Sequence, residues 1–136
     1  MSAKQARFLL VDDFEIVRVM LRNILVEQGF SAIDEARDGR QAIAKLTDAH
    51  STGQPFDVIL CDWNMPEVTG MDVLEYCRSE SAYRELPFIM ITAEADQASV
   101  IAALKAGATD YLVKPIVPEI LARKVNKIMG KNQGAA

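Results

Sequence analysis

A chain of 136 residues, half of them hydrophobic and a quarter charged, has the size and composition of one globular domain with its own core. A formal net charge of -4 leaves no surplus of Lys and Arg for nucleic-acid phosphates, so direct nucleic-acid binding is not expected. The opening Met1-Ser2-Ala3-Lys4-Gln5-Ala6-Arg7 is polar and no apolar run reaches membrane-spanning length, which points to a cytoplasmic protein without membrane insertion.

Residues 1–6 read as a flexible start, followed by a first strand over 7–11 (Phe8-Leu9-Leu10-Val11) that ends at Asp12-Asp13. Ile16, Val17, Met20, Leu21, Ile24 and Leu25 recur at helical spacing, so a helix is expected over about 14–28, with Gly29 as its stop. A short, mixed strand over 32–36 suits a sheet edge. Asp38-Gly39 opens a second helix carrying Ala42, Ile43 and Leu46, and the breakers of His50-Ser51-Thr52-Gly53-Gln54-Pro55 read as a loop. The run Phe56-Asp57-Val58-Ile59-Leu60-Cys61 is rich in strand formers and ends at Asp62-Trp63-Asn64-Met65-Pro66, where proline interrupts regular hydrogen bonding. Cys61 and Cys77 fall in elements expected to be buried, at a spacing that fits no zinc or redox motif, as in a reducing compartment.

Gly70 leads into a third helix through Met71, Val73, Leu74 and Tyr76. Pro87 introduces a fourth strand, Phe88-Ile89-Met90-Ile91, which ends at Thr92; a fourth helix over 94–106 stops at Gly107. A fifth strand over 109–113 ends at Lys114-Pro115, and Pro118 opens a final helix with Ile120, Leu121, Val125 and Ile128, leaving 130–136 as a flexible tail. Five strands alternating with five helices predict an α/β, doubly wound parallel sheet, with strand order 2-1-3-4-5 favoured.

In such a sheet, ligands bind beyond the carboxyl ends of the strands. Here those ends carry Asp12, Asp13, Asp62, Thr92 and Lys114. Singly, each has an ordinary explanation: Asp12 or Asp13 as a helix cap, Thr92 as a cap for the fourth helix, Asp62 as turn chemistry, Lys114 as a solvated side chain. Together they would crowd three carboxylates into one crevice, where repulsion raises a pKa unless a cation intervenes. Oxygen ligands suit a hard ion such as Mg²⁺, and a carboxylate can act as a phosphoryl-accepting nucleophile. The ion, the Lys114 ammonium and Thr92 with backbone N–H groups would then neutralise the transferred group.

The stretches Phe8-Leu9 with Val11-Asp12-Asp13-Phe14, Asp62-Trp63-Asn64-Met65-Pro66, Thr92-Ala93-Glu94-Ala95 and Val113-Lys114-Pro115 resemble the receiver domain of two-component response regulators, especially the stand-alone chemotaxis regulators, over residues 7–129. The resemblance implies a CheY-like, flavodoxin-like fold, a phosphoryl group accepted on Asp62 from a sensor kinase phosphohistidine, and Mg²⁺ held by Asp12, Asp13, Asp62 and the Asn64 carbonyl. It further implies that Thr92 and Lys114 bind the phosphoryl group, that Tyr111 switches with Thr92, that Asn64 and Glu94 tune its lifetime, and that Lys114–Pro115 is a cis peptide. The output of so short a chain is expected to be a surface, with Ala95, Ile101, Lys105, Tyr111, Val113, Lys124 and Lys127 as candidates. Expected partners are the histidine kinase, a flagellar motor switch protein and a phosphatase, with the chain itself a monomer and no enzyme beyond self-catalysed phosphoryl transfer and loss. His50 is expected on the surface. Thr69, where relatives carry an acidic residue, and a longer loop at 50–55 depart from the pattern.

Three other readings compete. A phosphatase with an aspartate nucleophile needs a second aspartate where Asn64 stands, and a flavin-phosphate binder would be repelled by Asp12-Asp13. The chain could also be the receiver part of a longer DNA-binding or enzymatic regulator.

Overall fold

The five strands form as β1 (Arg7–Val11), β2 (Ala32–Ala36), β3 (Val58–Asp62), β4 (Phe88–Thr92) and β5 (Asp110–Val113). In this computed structural model, which describes residues 5–93 and 96–133, they make one parallel sheet in the order β2-β1-β3-β4-β5. Every residue of β3 and β4 is buried, whereas four of the five residues of edge strand β2 are only partly covered. A strand covered on both faces needs apolar side chains in both directions, so β1, β3 and β4 read as unbroken apolar runs.

The helices α1 (Glu15–Glu27), α2 (Gly39–Ser51), α3 (Gly70–Ser79), α4 (Gln97–Lys105) and α5 (Pro118–Gln133) separate consecutive strands and follow the last. Successive side chains of a strand point to opposite faces. Leu9, Val11, Ile59, Cys61 and Met90 therefore share one core with Leu46 of α2, Val73 and Leu74 of α3 and Ala103 of α4. Phe8, Leu10, Leu60, Ile89 and Ile91 share the other with Leu21 and Leu25 of α1 and Leu121 and Val125 of α5. Each Val, Leu, Ile, Phe or Met among them contributes about 1.5–3 kcal/mol when fully buried, far more than helix propensity supplies.

Three helix ends and one strand start depart from the sequence reading. α2 continues through His50 and Ser51, because Ala49 extends the buried stripe of Ala42 and Leu46; the chain turns only at Thr52 and Gly53. His50 is exposed and packs edge-on against the Tyr83 ring. β3 starts at Val58 rather than Phe56, since Asp57 turns to accept the Arg7 N–H and Phe56 lies beneath the Arg7 guanidinium. α4 begins at Gln97, capped by the Asp96 carboxylate accepting the Ser99 N–H, and not by Thr92, which is the last residue of β4. α5 runs through Gly130 to Gln133, past the expected end at 129. At the other terminus Ala6, expected in a flexible arm, is buried in the core. Gly29 follows α1 with φ 95°, a left-handed conformation that glycine adopts without strain.

Thr69 finds its explanation here. Its hydroxyl accepts the Asp72 N–H at 3.2 Å while the Asp72 carboxylate accepts the Thr69 N–H at 2.9 Å, a reciprocal cap on α3.

Candidate functional site

Strand register assembles the site. Val11 pairs with Cys61, which sets the next residues, Asp12 and Asp62, beside each other at the carboxyl edge. Asp62 pairs with Ile91 and Thr92 with Val113, so Thr92 and Lys114 follow on the neighbouring strand ends. Backbone bonds from Trp63 N–H to Ile91 O (2.8 Å) and from Lys114 N–H to Thr92 O (2.9 Å) carry the ladder into the loops. The Lys114–Pro115 peptide is cis, as the resemblance implies.

Asp12, Asp13 and Asp62 each bring a carboxylate oxygen within 4.8 Å of the others. Asp12 and Asp62 are buried, at 0% and 3% exposure, and Asp13 opens to solvent. The Lys114 ammonium sits 3.2 Å from Asp12 Oδ2 and 3.2 Å from Asp62 Oδ1. One ammonium does not balance three carboxylates. Burial, then the neighbouring Asp12 charge, pushes the Asp62 carboxyl up to about 6. Burial also raises Asp12, against the Phe14 N–H and Lys114 that favour its charged form. At Lys114 burial works against the ammonium, but Asp12 and Asp62 outweigh it and the pKa rises.

The oxygen chemistry fits a hard divalent cation. Asp12 Oδ1 accepts the Phe14 N–H at 2.9 Å, while among the described residues the buried Oδ2 has the Lys114 charge nearby but no hydrogen bond. A buried Oδ2 whose described contact is one ammonium shared with Asp62, beside two further carboxylates, keeps lone pairs that suit an oxygen-coordinated ion with water on its open side. Asp12 is no helix cap in this arrangement: the residue before α1 is Phe14, and no side-chain bond caps that helix among the described residues.

The remaining sequence candidates fall around this pocket. Thr92 is buried at 2% exposure, and Asn64 is exposed two residues beyond Asp62. Tyr111 pairs with Met90 and Val113 with Thr92, so Tyr111 and Thr92 lie on one face of the sheet, one diagonal step apart. Lys124 stands 4.9 Å above the half-buried Tyr111 ring and donates to Asp110 Oδ1 at 2.8 Å. Val113 is half-buried, and Ile101, Lys105 and Lys127 are exposed. Glu94 and Ala95 lie outside the described residues.

Sequence reasoning missed two groups. Asp110, on β5, holds Lys124 over Tyr111. Arg18, on α1, donates from Nη1 to the Asp12 carbonyl at 2.7 Å and from Nε to Glu35 at 2.9 Å. Arg18 and Arg22 stand one helical turn apart, a spacing that hints at a shared anion, but nothing local says that the anion is on β2. The Thr69-x-x-Asp72 spacing is itself a sequence signature of a capped helix start.

A doubly wound sheet with buried acids and a lysine at its carboxyl edge is the architecture of a receiver. The response regulator receiver domain model matches residues 8–126, and the chain belongs to that family. It is a CheY-like signalling protein. Chemotaxis protein CheY1 of Helicobacter pylori is 41% identical over 126 residues, covering 93% of this chain and 98% of that one. The fold matches chemotaxis protein CheY4 of Vibrio cholerae with a TM-score of 0.81 and 35% identity, over 91% of this chain and 98% of that one. It also matches the receiver domain of a sensor histidine kinase from Pseudomonas aeruginosa, solved with a magnesium ion coordinated in its active-site cleft, at a TM-score of 0.79 and 28% identity over 93% and 98% of the two chains. Membership of this family does not favour the phosphatase and flavin readings. No described helix is long and apolar enough to cross a membrane.

Proposed function

We propose that this chain is the phosphoryl-accepting response regulator of a chemotaxis pathway, with Asp62 as the acceptor. The observation that supports this most is the buried Asp12–Lys114–Asp62 contact at the end of β3. An Asp62 carboxylate oxygen attacks the phosphorus of a phosphohistidine on a sensor kinase. The phosphorus–oxygen bond forms, the phosphorus–nitrogen bond breaks, and the imidazole leaves with the electron pair. Asp12, Asp13, Asp62 and the Asn64 carbonyl would hold Mg²⁺, which when bound would neutralise charge on the transferring group. Lys114 and Thr92 take phosphoryl oxygens, with charge-assisted bonds to the ammonium. Asn64 and Glu94 govern access of water and hence the lifetime of the acyl phosphate. The protein turns over no other substrate.

Phosphorylation adds charge and acceptor oxygens at Asp62. Thr92 moves toward them, and Tyr111, its diagonal neighbour, turns inward to refill the space, since packed interiors do not keep voids cheaply. That reshapes the surface of α4, β5 and α5, with Ala95, Ile101, Lys105, Val113, Lys124 and Lys127 offered to a motor switch protein, the kinase and a phosphatase. The protein works as a cytoplasmic monomer. The curated chemotaxis relatives from Helicobacter pylori and Campylobacter jejuni align over nearly their full length, which favours this output over DNA-binding or enzymatic regulators. Mass analysis after incubation with acetyl phosphate and Mg²⁺ tests the core of the reading: a phosphoryl adduct mapped to Asp62 and lost in Asp62→Asn is expected, and an adduct elsewhere or none would refute it.

A further inference from the structure

The peptide unit that joins Asp12 to Asp13 is gripped from behind. Its carbonyl, that of Asp12, accepts the Arg18 Nη1 bond at 2.7 Å, and the Arg18 side chain is only 13% exposed. The same guanidinium gives its Nε to Glu35 Oε1 at 2.9 Å. The other Glu35 oxygen accepts from Arg22 Nε at 2.8 Å, and Arg22 Nη2 donates to the Ile33 carbonyl at 3.1 Å. Glu35 is therefore held between two arginines on α1 and cannot swing away without breaking both bonds. One peptide earlier, Asp12 N–H bonds the Ala36 carbonyl of β2, the residue next to Glu35, at 3.2 Å. With the Asp12 N–H held by the β2 main chain and the Asp12 carbonyl held by a guanidinium clamped to β2, both peptide units flanking Asp12 are restrained.

The consequence reaches two carboxylates at once. Asp12 and Asp13 are consecutive, and turning the peptide between them swings one side chain relative to the other. Three carboxylate oxygens within 4.8 Å then depend on a plane that Arg18 sets. Guanidinium geometry suits the task, because a rigid fork can serve a carbonyl and a carboxylate together, whereas an ammonium is a single point charge on a flexible stem.

We propose that Arg18, clamped by Glu35, is a positioning residue for the divalent-cation site, setting ion affinity without touching the ion. The inference rests on reading Asp12, Asp13 and Asp62 as that site. The same edge strand supplies an internal control. Lys45 Nζ bonds Asp34 Oδ1 at 2.8 Å, an ion pair of comparable length between α2 and β2 with no bond to Asp12 or Asp13. If Arg18 only tied helix to strand, loss of either pair would do the same thing.

The test is a Mg²⁺ titration of the full chain by calorimetry, paired with melting temperatures in EDTA. Outer-shell partners of metal ligands are typically worth about 10–100-fold in affinity. Arg18→Met is expected to raise the Mg²⁺ Kd about tenfold, with Arg18→Lys recovering part of the loss. Lys45→Met is expected to lower the melting temperature and leave the Mg²⁺ Kd unchanged. An Arg18→Met protein that binds Mg²⁺ within about twofold of wild type, or a Lys45→Met protein that loses as much affinity, would overturn the proposal. Should Arg18→Met fail to fold, Glu35→Gln carries the same test, since it removes the clamp and keeps the arginine; an unchanged Kd overturns the proposal there too. A wild-type chain that binds no Mg²⁺ would instead overturn the cation site, and the positioning role with it.

Discussion

Replacing Asp62 by Asn should make the metal-free protein more stable, at the cost of its function. Asp62 is 3% exposed and its carboxyl is pushed from 3.8 to about 6, first by burial and then by Asp12. A shift of about two units corresponds to roughly 3 kcal/mol of penalty on the ionised form near pH 7. Asn removes that penalty but leaves Lys114 with Asp12 as its one remaining carboxylate neighbour among the described contacts, which returns about 1 kcal/mol or more. The net expectation is roughly 1–2 kcal/mol of stabilisation, or about 3–6 °C in melting temperature for a domain of this size. The sign follows from proton counts. Between about pH 4 and 6 the folded chain holds the Asp62 proton more tightly than the unfolded one, so wild-type stability falls as pH rises through that window and the full penalty is present above it. Thermal melts in EDTA should show Asp62→Asn above wild type near pH 7, with the gap closing near pH 4. Mg²⁺ should then raise the wild type toward or past the variant by mass action. A variant no more stable than wild type near pH 7 in EDTA would refute the electrostatic account of this pocket.

Thr69→Ala removes one half of the reciprocal cap on α3 and should cost about 1 kcal/mol in urea denaturation while leaving phosphorylation intact. Gly70→Ala should do worse: an added Cβ would overlap the Asp62 carbonyl oxygen and lie 2.8 Å from the Trp63 Cα, so we expect lower stability and slower adduct formation by mass analysis. Thr92→Ala should still be phosphorylated, more slowly, and should transmit little to the α4–β5–α5 surface; partner affinity equal to that of phosphorylated wild type would exclude the Thr92–Tyr111 coupling.

Much of this protein is legible in one dimension, for a local reason. Whether a stretch is a buried strand is written in its own side chains, so Phe8-Leu9-Leu10-Val11, Val58-Ile59-Leu60-Cys61 and Phe88-Ile89-Met90-Ile91 declare themselves, and the polar residues that end them mark where the sheet stops. Alternation with amphipathic helices then brings Asp12, Asp62, Thr92 and Lys114 to one edge before any coordinate is known. The residues themselves suggest a crevice, a cation and phosphoryl-neutralising roles for Lys114 and Thr92, while Asp62 as the acceptor and Tyr111 as the switch follow from the family resemblance. Helix ends were less legible, because the stripe through Ala49 and the cap at Asp96 compete with turn signals at energies of about 1 kcal/mol.

Other properties exist only once the chain is folded. The pairing of Val11 with Cys61 decides that Asp12 and Asp62 are neighbours, and burial decides that the Asp62 carboxyl titrates near 6. Arg18 reaches Asp12 from a helix, and Glu35 meets Arg18 from an edge strand; Lys124 reaches Tyr111 from α5. Each depends on distance and desolvation between residues far apart in sequence, and neither quantity is a property of the residues taken one at a time.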